Sequence, residues 1–282
     1  METINITPDF LENRPLSYSS LKEFAKSPKN YIMYLLHKTP PTPSQLEGKY
    51  LDTLLLEPHM VEKRFIVYDK FDRRSNAAKE AWDQLETRAQ KENKILVTSE
   101  TVRGAKMAVE AIMDNADAKN VIENIKKVQT RLKWTDKQTG LPLIGYSDFE
   151  TTFFGLDCVF DLKKTQSADP DDFHRDIFKY GYHLQAACYK EGYWKTQYRF
   201  PEFFNLAVET NAPYNVSINY YEPKLMQESQ DEFRGILLAF KKCMDEGRFT
   251  EGYEFRRMDM ATYFAINKPG YYKTKFKGFE HE

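Results

Sequence analysis

Asp161 and Lys163 stand at i and i+2 in the stretch "FDLKKT" (160–165). The apolar step Cys158-Val159-Phe160 before them predicts entry into a buried strand. Side chains at i and i+2 of a strand share a face. An acid and an amine therefore meet on a surface bound for the core. Asp148 lies in a second strand-like stretch, "LPLIGYSDFETTFF" (141–154). The midpoint between Asp148 and Asp161 falls between Phe154 and Gly155, so a tight turn there sets the two aspartates opposite each other. Cβ atoms of such pairs lie roughly 4.5–5.5 Å apart. Carboxylates that close repel, and burial worsens the repulsion. A divalent cation with oxygen ligands relieves it. Such a cation polarises a phosphate oxygen and lowers the pKa of bound water. Lys163 would orient that water or stabilise charge growing on phosphoryl oxygens. The chemistry indicated is metal-assisted phosphodiester hydrolysis. For Asp161 and Lys163 taken alone, a salt bridge at an exposed strand end is the plainer alternative.

Two neighbours extend the set. In "YGYHLQAACYKEG" (180–192), Gln185 and Tyr189 are at i and i+4, hence on one helix face. That face should lie near the sheet, where a glutamine is costly unless it finds partners. Upstream, Asp52 interrupts the apolar helix "YLDTLLLEP" (50–58) and faces either solvent or the same centre.

The stretches "GYSDFE" (145–150), "FDLKKT" and "GYHLQAACY" (181–189), in this order, resemble the PD-(D/E)XK nuclease superfamily. More narrowly, they are similar to the RecE-type phage and prophage exonucleases, the exodeoxyribonuclease VIII type. "LSYSSLKEFAKSP" (16–28), "EGKYLDTLLLEP" (47–58) and "AVETNAPYNVSINYYEP" (207–223) resemble further family signatures, and the likeness spans about residues 16–245. The resemblance implies a restriction-endonuclease-like α/β fold, with a mixed central sheet flanked by helices. It implies metal ligation by Asp148, Asp161 and the backbone carbonyl of Leu162, with Lys163 as catalytic lysine. Gln185 and Tyr189 would support the site or contact DNA. It also implies Mg²⁺ dependence, with Mn²⁺ as a substitute, and processive 5′-to-3′ digestion of duplex DNA from its ends. A ring-like homo-oligomer and a RecT-like single-strand annealing partner belong to the same expectation. Three departures stand out. Asp52 occupies a position where the family commonly has histidine, and a hard carboxylate there would serve as a third ligand. Tyr146-Ser147 replaces the usual Arg-Pro before the strand acid. Lys164 stands where many members have threonine, and is a candidate DNA contact. Two rivals share these residues: an endonuclease or single-strand nuclease of the same superfamily, and a non-catalytic DNA-binding or assembly protein that kept the fold.

Other residues suit nucleic acid. Ser17 and Ser19 would bind a DNA 5′-phosphate at a helix N-terminus, or simply cap it. Lys126, Lys127, Arg131 and Lys133 line either a backbone groove or a solvated strand edge. The tail residues Tyr271, Tyr272, Lys273, Lys275, Phe276 and Lys277 mix aromatics with lysines, which suits single-strand stacking or plain solubility.

The elements that must position these residues follow from pattern. Helices are predicted through "SLKEFAKS" (20–27), from Pro28 through "NYIMYLLH" (30–37), and through "SQLEGKYLDTLLLEP" (44–58), which Pro58 ends. Residues 76–92 and 99–125 read as two more, with "KILV" (94–97) as a short strand between them. Then come three strands: "VQTRLKWTD" (128–136), the Asp148 strand and the Asp161 strand. Residues 170–196 are helical with a break near Gly181. Two further strands, "EFFNLAVET" (202–210) and "YNVSINYYE" (214–222), precede a last helix over 223–246. The expected organisation is one domain over 1–282: a helical section at about 16–125, a catalytic core at about 126–246, and a tail at 247–282.

Bulk properties permit this. With 282 residues, 41% of them hydrophobic and 15% aromatic, the chain can bury a sizeable core. A net charge of −1 neither favours nor excludes nucleic acid, because affinity follows local charge. The three cysteines, Cys158, Cys188 and Cys243, lack metal-site spacing and fit a reducing, cytoplasmic setting. No signal peptide is visible at the N-terminus. No stretch approaches the roughly 18 apolar residues of a membrane span.

Overall fold

The structure is a computed structural model that describes residues 4–37 and 40–252. Its elements are α1 (Pro8–Asn13), β1 (Leu16–Ser17), α2 (Tyr18–Lys26), α3 (Pro28–Leu36), α4 (Pro43–Leu56), a 3-10 turn (Pro58–Met60), α5 (Val61–Arg64), β2 (Phe65–Tyr68), α6 (Asn76–Glu92), β3 (Ile95–Thr98), α7 (Ser99–Asp114), α8 (Ala116–Glu123), β4 (Ile125–Thr135), β5 (Pro142–Phe153), β6 (Leu156–Thr165), α9 (Pro170–Tyr180), α10 (Tyr182–Gln197), β7 (Glu202–Glu209), β8 (Val216–Tyr220) and α11 (Pro223–Glu246). The aromatic- and lysine-bearing tail residues 271–277 lie outside the described residues. None of the helices described is long and apolar enough to cross a membrane.

The main sheet runs β1-β5-β6-β7-β8, with β4 on the other side of β5. It is mixed: β1 and β5 pair parallel, as do β6 and β7, and the other pairs are antiparallel. The β5–β6 hairpin has the anticipated register, from Phe149↔Phe160 to Phe153↔Leu156. Phe154 (φ 47°) and Gly155 (φ 74°) make its two-residue loop. Two left-handed residues match the twist of the flanking strands, and glycine supplies the second without strain.

Hydrophobic cores cover both faces of this sheet. Alternation along β6 and β7 sends Val159, Phe203 and Ala207 into a core shared with α2, α10 and α11. It sends Phe160, Phe204, Leu206 and Val208 into a second core with α4, α7 and α8. β5 does not keep this alternation. Leu143 joins the first core, whereas Phe149 and Phe153 join the second, although an unbroken strand puts all three on one face. β4 inverts in step: Leu132 and Trp134 face the first core, and Val128 packs on the second. The inversion falls at Asp148 and at Gln129, which lies between the pairs Val128↔Phe149 and Thr130↔Ser147. Gln129 has φ 51°, an uncommon conformation for a residue with a side chain.

Three expectations change. The span 99–125 is two helices, because Asn115 ends α7 and its side chain accepts the Ala118 N–H to start α8. The strand at Ile95–Thr98 has a parallel partner, β2, that pattern alone did not reveal. Of the two serines, Ser17 is the N-cap of α2, in a reciprocal box with Ser20, and Ser19 is exposed in the first turn.

Candidate active site

One edge of β5 pairs with β4 from Pro142 to Thr151, with no ladder pair at Asp148. The other is divided: β1 pairs at Leu143 and Ile144, and β6 pairs from Phe149 onward. Between them the sheet opens into a wedge, and Asp148 sits where it closes. The ladder stops one pair short of Asp148↔Asp161. In place of a backbone partner, the Leu162 N–H donates to Asp148 Oδ2 at 2.8 Å. N–H and C=O of a strand residue point to the same edge, so the Leu162 carbonyl faces the wedge too.

Asp161 is 2% exposed and fully engaged. Its Oδ1 accepts Gln185 Nε2 at 2.9 Å, and its Oδ2 accepts Asn205 Nδ2 at 3.2 Å and pairs with Lys163. Lys163 Nζ also donates to Gln185 Oε1 at 3.0 Å and lies 4.4 Å from the centre of the Tyr182 ring. Gln185 thus binds the acid through its amide nitrogen and the amine through its oxygen. The same nitrogen reaches Tyr189 Oη at 3.2 Å. Asn205 is held in turn by Tyr221, whose hydroxyl donates to Asn205 Oδ1 at 2.5 Å. The crossover from β6 to β7 through α9 and α10 brings Gln185 over the sheet. Gly145 makes room for it, since a Cβ there would stand 2.9 Å from the Tyr189 ring.

Asp52 arrives from α4, on the opposite layer. Gln129 Nε2 donates to its Oδ2 at 3.2 Å, and its Oδ1 is buried without a hydrogen-bond partner among the described residues. An unmatched buried carboxylate oxygen is costly. Burial first, then Asp161 and Glu57, pushes the Asp52 carboxyl up to about 6, against the pull of Arg64 and Lys163. Asp148 keeps part of its surface open to the cavity but is enclosed at longer range. Burial, then Asp161 and Asp52, raises its carboxyl well above the usual range, opposed by Lys163 and the Leu162 N–H.

Asp52, Asp148, Asp161, Leu162, Lys163 and Gln185 line one cavity of about 290 Å³. Among the described residues, no three His, Cys, Asp or Glu side chains form a ready-made metal cage. The donor chemistry nonetheless fits a hard divalent cation. Every donor is oxygen, two of the acids are raised by burial and then by the neighbouring Asp161, and one buried oxygen lacks a partner. Lys163 supplies the counter-charge in the arrangement described.

The remaining predicted residues fall as follows. Tyr189 is buried beneath Gln185, so it supports that side chain and offers little surface to a ligand. Lys164 lines the cavity and pairs with Glu47 of α4. Ser17 Oγ is taken up by the Ser20 N–H at 3.2 Å. Lys126, Lys127, Arg131 and Lys133 are exposed on β4. In the positions of the absent Arg-Pro, Tyr146 is 47% exposed, and Ser147 Oγ lies 2.6 Å from Tyr193 Oη. Sequence reasoning missed Gln129, Tyr182, Asn205 and Tyr221. Asn205 carried a signal, as a lone amide inside the apolar run "FFNLAV" (203–208). Gln129 carried none, because its role depends on a contact 77 residues away.

The fold is similar to the crystal structure of a "putative exonuclease" from Eubacterium rectale, with 14% identity, a TM-score of 0.57, and coverage of 94% of this chain and 98% of that one. No curated protein matches the chain. The model of the PDDEXK-like domain of unknown function (DUF3799) matches residues 17–253. The mixed sheet flanked by helices is the PD-(D/E)XK architecture, and the chain belongs to this PDDEXK-like family.

Proposed function

We propose that this chain is a Mg²⁺-dependent nuclease of the RecE type. It digests linear duplex DNA from an end, 5′ to 3′, and leaves 3′ single strands for phage-type recombination. One observation carries the reading: Asp52, Asp148, Asp161 and Lys163, from three separate elements, line a single cavity next to the Leu162 carbonyl. Asp52, Asp148 and Asp161 crowd this cavity with Lys163 paired to Asp161, Lys164 drawn off by Glu47, and one Asp52 oxygen unmatched.

Asp52, Asp148, Asp161 and the Leu162 carbonyl would hold the cation, with Mn²⁺ an acceptable substitute. When bound, it supplies Lewis acidity toward a phosphoryl oxygen and toward water. Lys163 is fixed by Gln185 and donates hydrogen bonds to phosphoryl oxygens that enter the cavity, where negative charge grows. Gln185 keeps Lys163 and Asp161 in register, and Asn205 with Tyr221 fixes Asp161 from below. Lys164 flanks the cavity as a phosphate contact.

A ring-like oligomer around the duplex, a cytoplasmic setting and a RecT-like annealing partner belong to the same reading. The test is digestion of linear duplex labelled at the 5′ or the 3′ end, with closed-circular duplex alongside. Loss of 5′ label from linear DNA only, abolished by EDTA, is expected. Cleavage of the closed circle would favour an endonuclease. Intact linear duplex with no Mg²⁺ or Mn²⁺ binding by calorimetry would leave a non-catalytic DNA-binding protein.

A further inference from the structure

We infer that the larger groove beside the candidate active site is the track of one unpaired nucleic-acid strand, and that the track ends on an aromatic and arginine-bearing loop at residues 69–75. The inference rests on the nucleic-acid reading of the neighbouring site.

The groove encloses about 770 Å³ between α4, α7, β3 and the turn after β7. It shares Leu51 and Lys164 with the active-site cavity, so the two lie side by side. Its far wall holds Tyr68 and Lys70, at the end of β2. The chain then leaves the sheet and folds around Trp82 of α6. Tyr68 meets Trp82 edge-on at 5.3 Å, Phe71 lies 6.4 Å from it, and the Arg73 guanidinium lies 3.8 Å from the centre of its ring. Phe71 is 41% exposed, outside both hydrophobic cores.

The groove lining is balanced, with Glu47, Glu100 and Glu209 against Lys70, Arg103 and Lys164, and the surplus cation sits on the 69–75 loop. Glu47 and Glu100 on the groove wall already hold Lys164 and Lys70. Glu209 accepts the Ala168 and Asn215 N–H groups. Among the described residues, Arg73 is in no ion pair, whereas Arg103 acts on Glu100, so Arg73 is the cation left for a phosphate at the loop. Aromatic faces joined to such cations hold single strands without regard to sequence. A duplex cannot use those faces, because its bases are stacked on one another. The occupant is therefore a single strand that enters or leaves the cavity past Lys164.

The test uses the full chain in EDTA, so that nothing is cut. Binding of a fluorescein-labelled oligothymidylate is followed by anisotropy, beside a blunt duplex of the same length. Phe71→Ala and Arg73→Ala alter exposed side chains, and an unchanged thermal midpoint verifies the fold. Each should weaken single-strand binding about tenfold and leave duplex binding within about twofold. Arg73→Ala should also flatten the salt dependence by about one phosphate contact. Single-strand affinity unchanged in both variants, equal losses on duplex, or no oligothymidylate binding by the unaltered chain would each overturn the inference. Failure of the nuclease reading shows separately, as linear duplex left intact in Mg²⁺ while the loop variants still impair single-strand binding.

Discussion

Asp52→Asn should stabilise the metal-free protein while it removes its function. The folded carboxyl is raised from 3.8 to about 6. A raised acid is favoured by folding only when protonated, so its ionisation opposes the fold. The unfolded chain ionises first, and stability falls as pH climbs from the lower value through the higher one. Above both values the penalty is complete. At about 1.36 kcal/mol per pH unit, the shift amounts to at most about 3 kcal/mol. Asparagine keeps the shape and can still accept from Gln129 Nε2, so most of that penalty should disappear. Near pH 5 the unaltered side chain is mostly protonated, and the gain should shrink to roughly half. Urea denaturation of EDTA-treated protein at about pH 7.5 and about pH 5 measures both values. Added Mg²⁺ should raise the stability of the unaltered protein, because a ligand of the native state stabilises it, and should do so much less for the variant. Equal stability of the two proteins at the higher pH, or a gain that persists undiminished at the lower one, would refute the account of Asp52 as a desolvated, repelled carboxylate.

Lys163→Ala and Asp161→Ala should each lower duplex digestion by about 100-fold or more and leave circular dichroism unchanged, because the groups act on developing charge. Gln129→Ala removes the donor that orients Asp52, and should weaken Mn²⁺ binding by about tenfold in calorimetry, as loss of an outer-shell partner does. Asn205→Leu leaves Asp161 Oδ2 and the Tyr221 hydroxyl short of a partner, and should cost about 1–3 kcal/mol in denaturant titration. Gly192→Ala places a Cβ 2.9 Å from the Trp134 ring and 3.0 Å from Leu132, so it should destabilise the α10–β4 contact by about 1–3 kcal/mol.

Much of this architecture is legible in the chain because it is local. A two-residue turn sets the Asp148–Asp161 register, and i,i+4 spacing sets Gln185 above Tyr189. Proline and serine mark the helix starts. What escapes has a long-range cause. The break between α7 and α8 depends on Asn115 choosing a cap over helix continuation, a choice made by packing. β2 is recognised only by its parallel partner β3, some thirty residues on. The face inversion at Asp148 and Gln129 has no pattern signature, because both strands invert together and keep their pairing. Alternation alone would place Asp148 on a regular sheet face, whereas the inversion turns it into the wedge. The acids at Asp148 and Asp161 were readable as a pair, and the alignment of Asp52 with them emerges only from the layer that α4 forms.

The single hydrogen bond from the Leu162 N–H to Asp148 has a spectroscopic consequence. Its neighbours in β6 are protected by backbone ladders, and their amides exchange with solvent only when strands separate. The Leu162 amide is secured by a titratable side chain instead. Its proton therefore registers the state of one carboxylate. Protonation of Asp148, or its recruitment to a cation, alters that amide's resonance and exchange rate while the strand stays intact. One backbone nucleus thus works as an intrinsic gauge of site loading, readable in the resting protein without substrate or turnover.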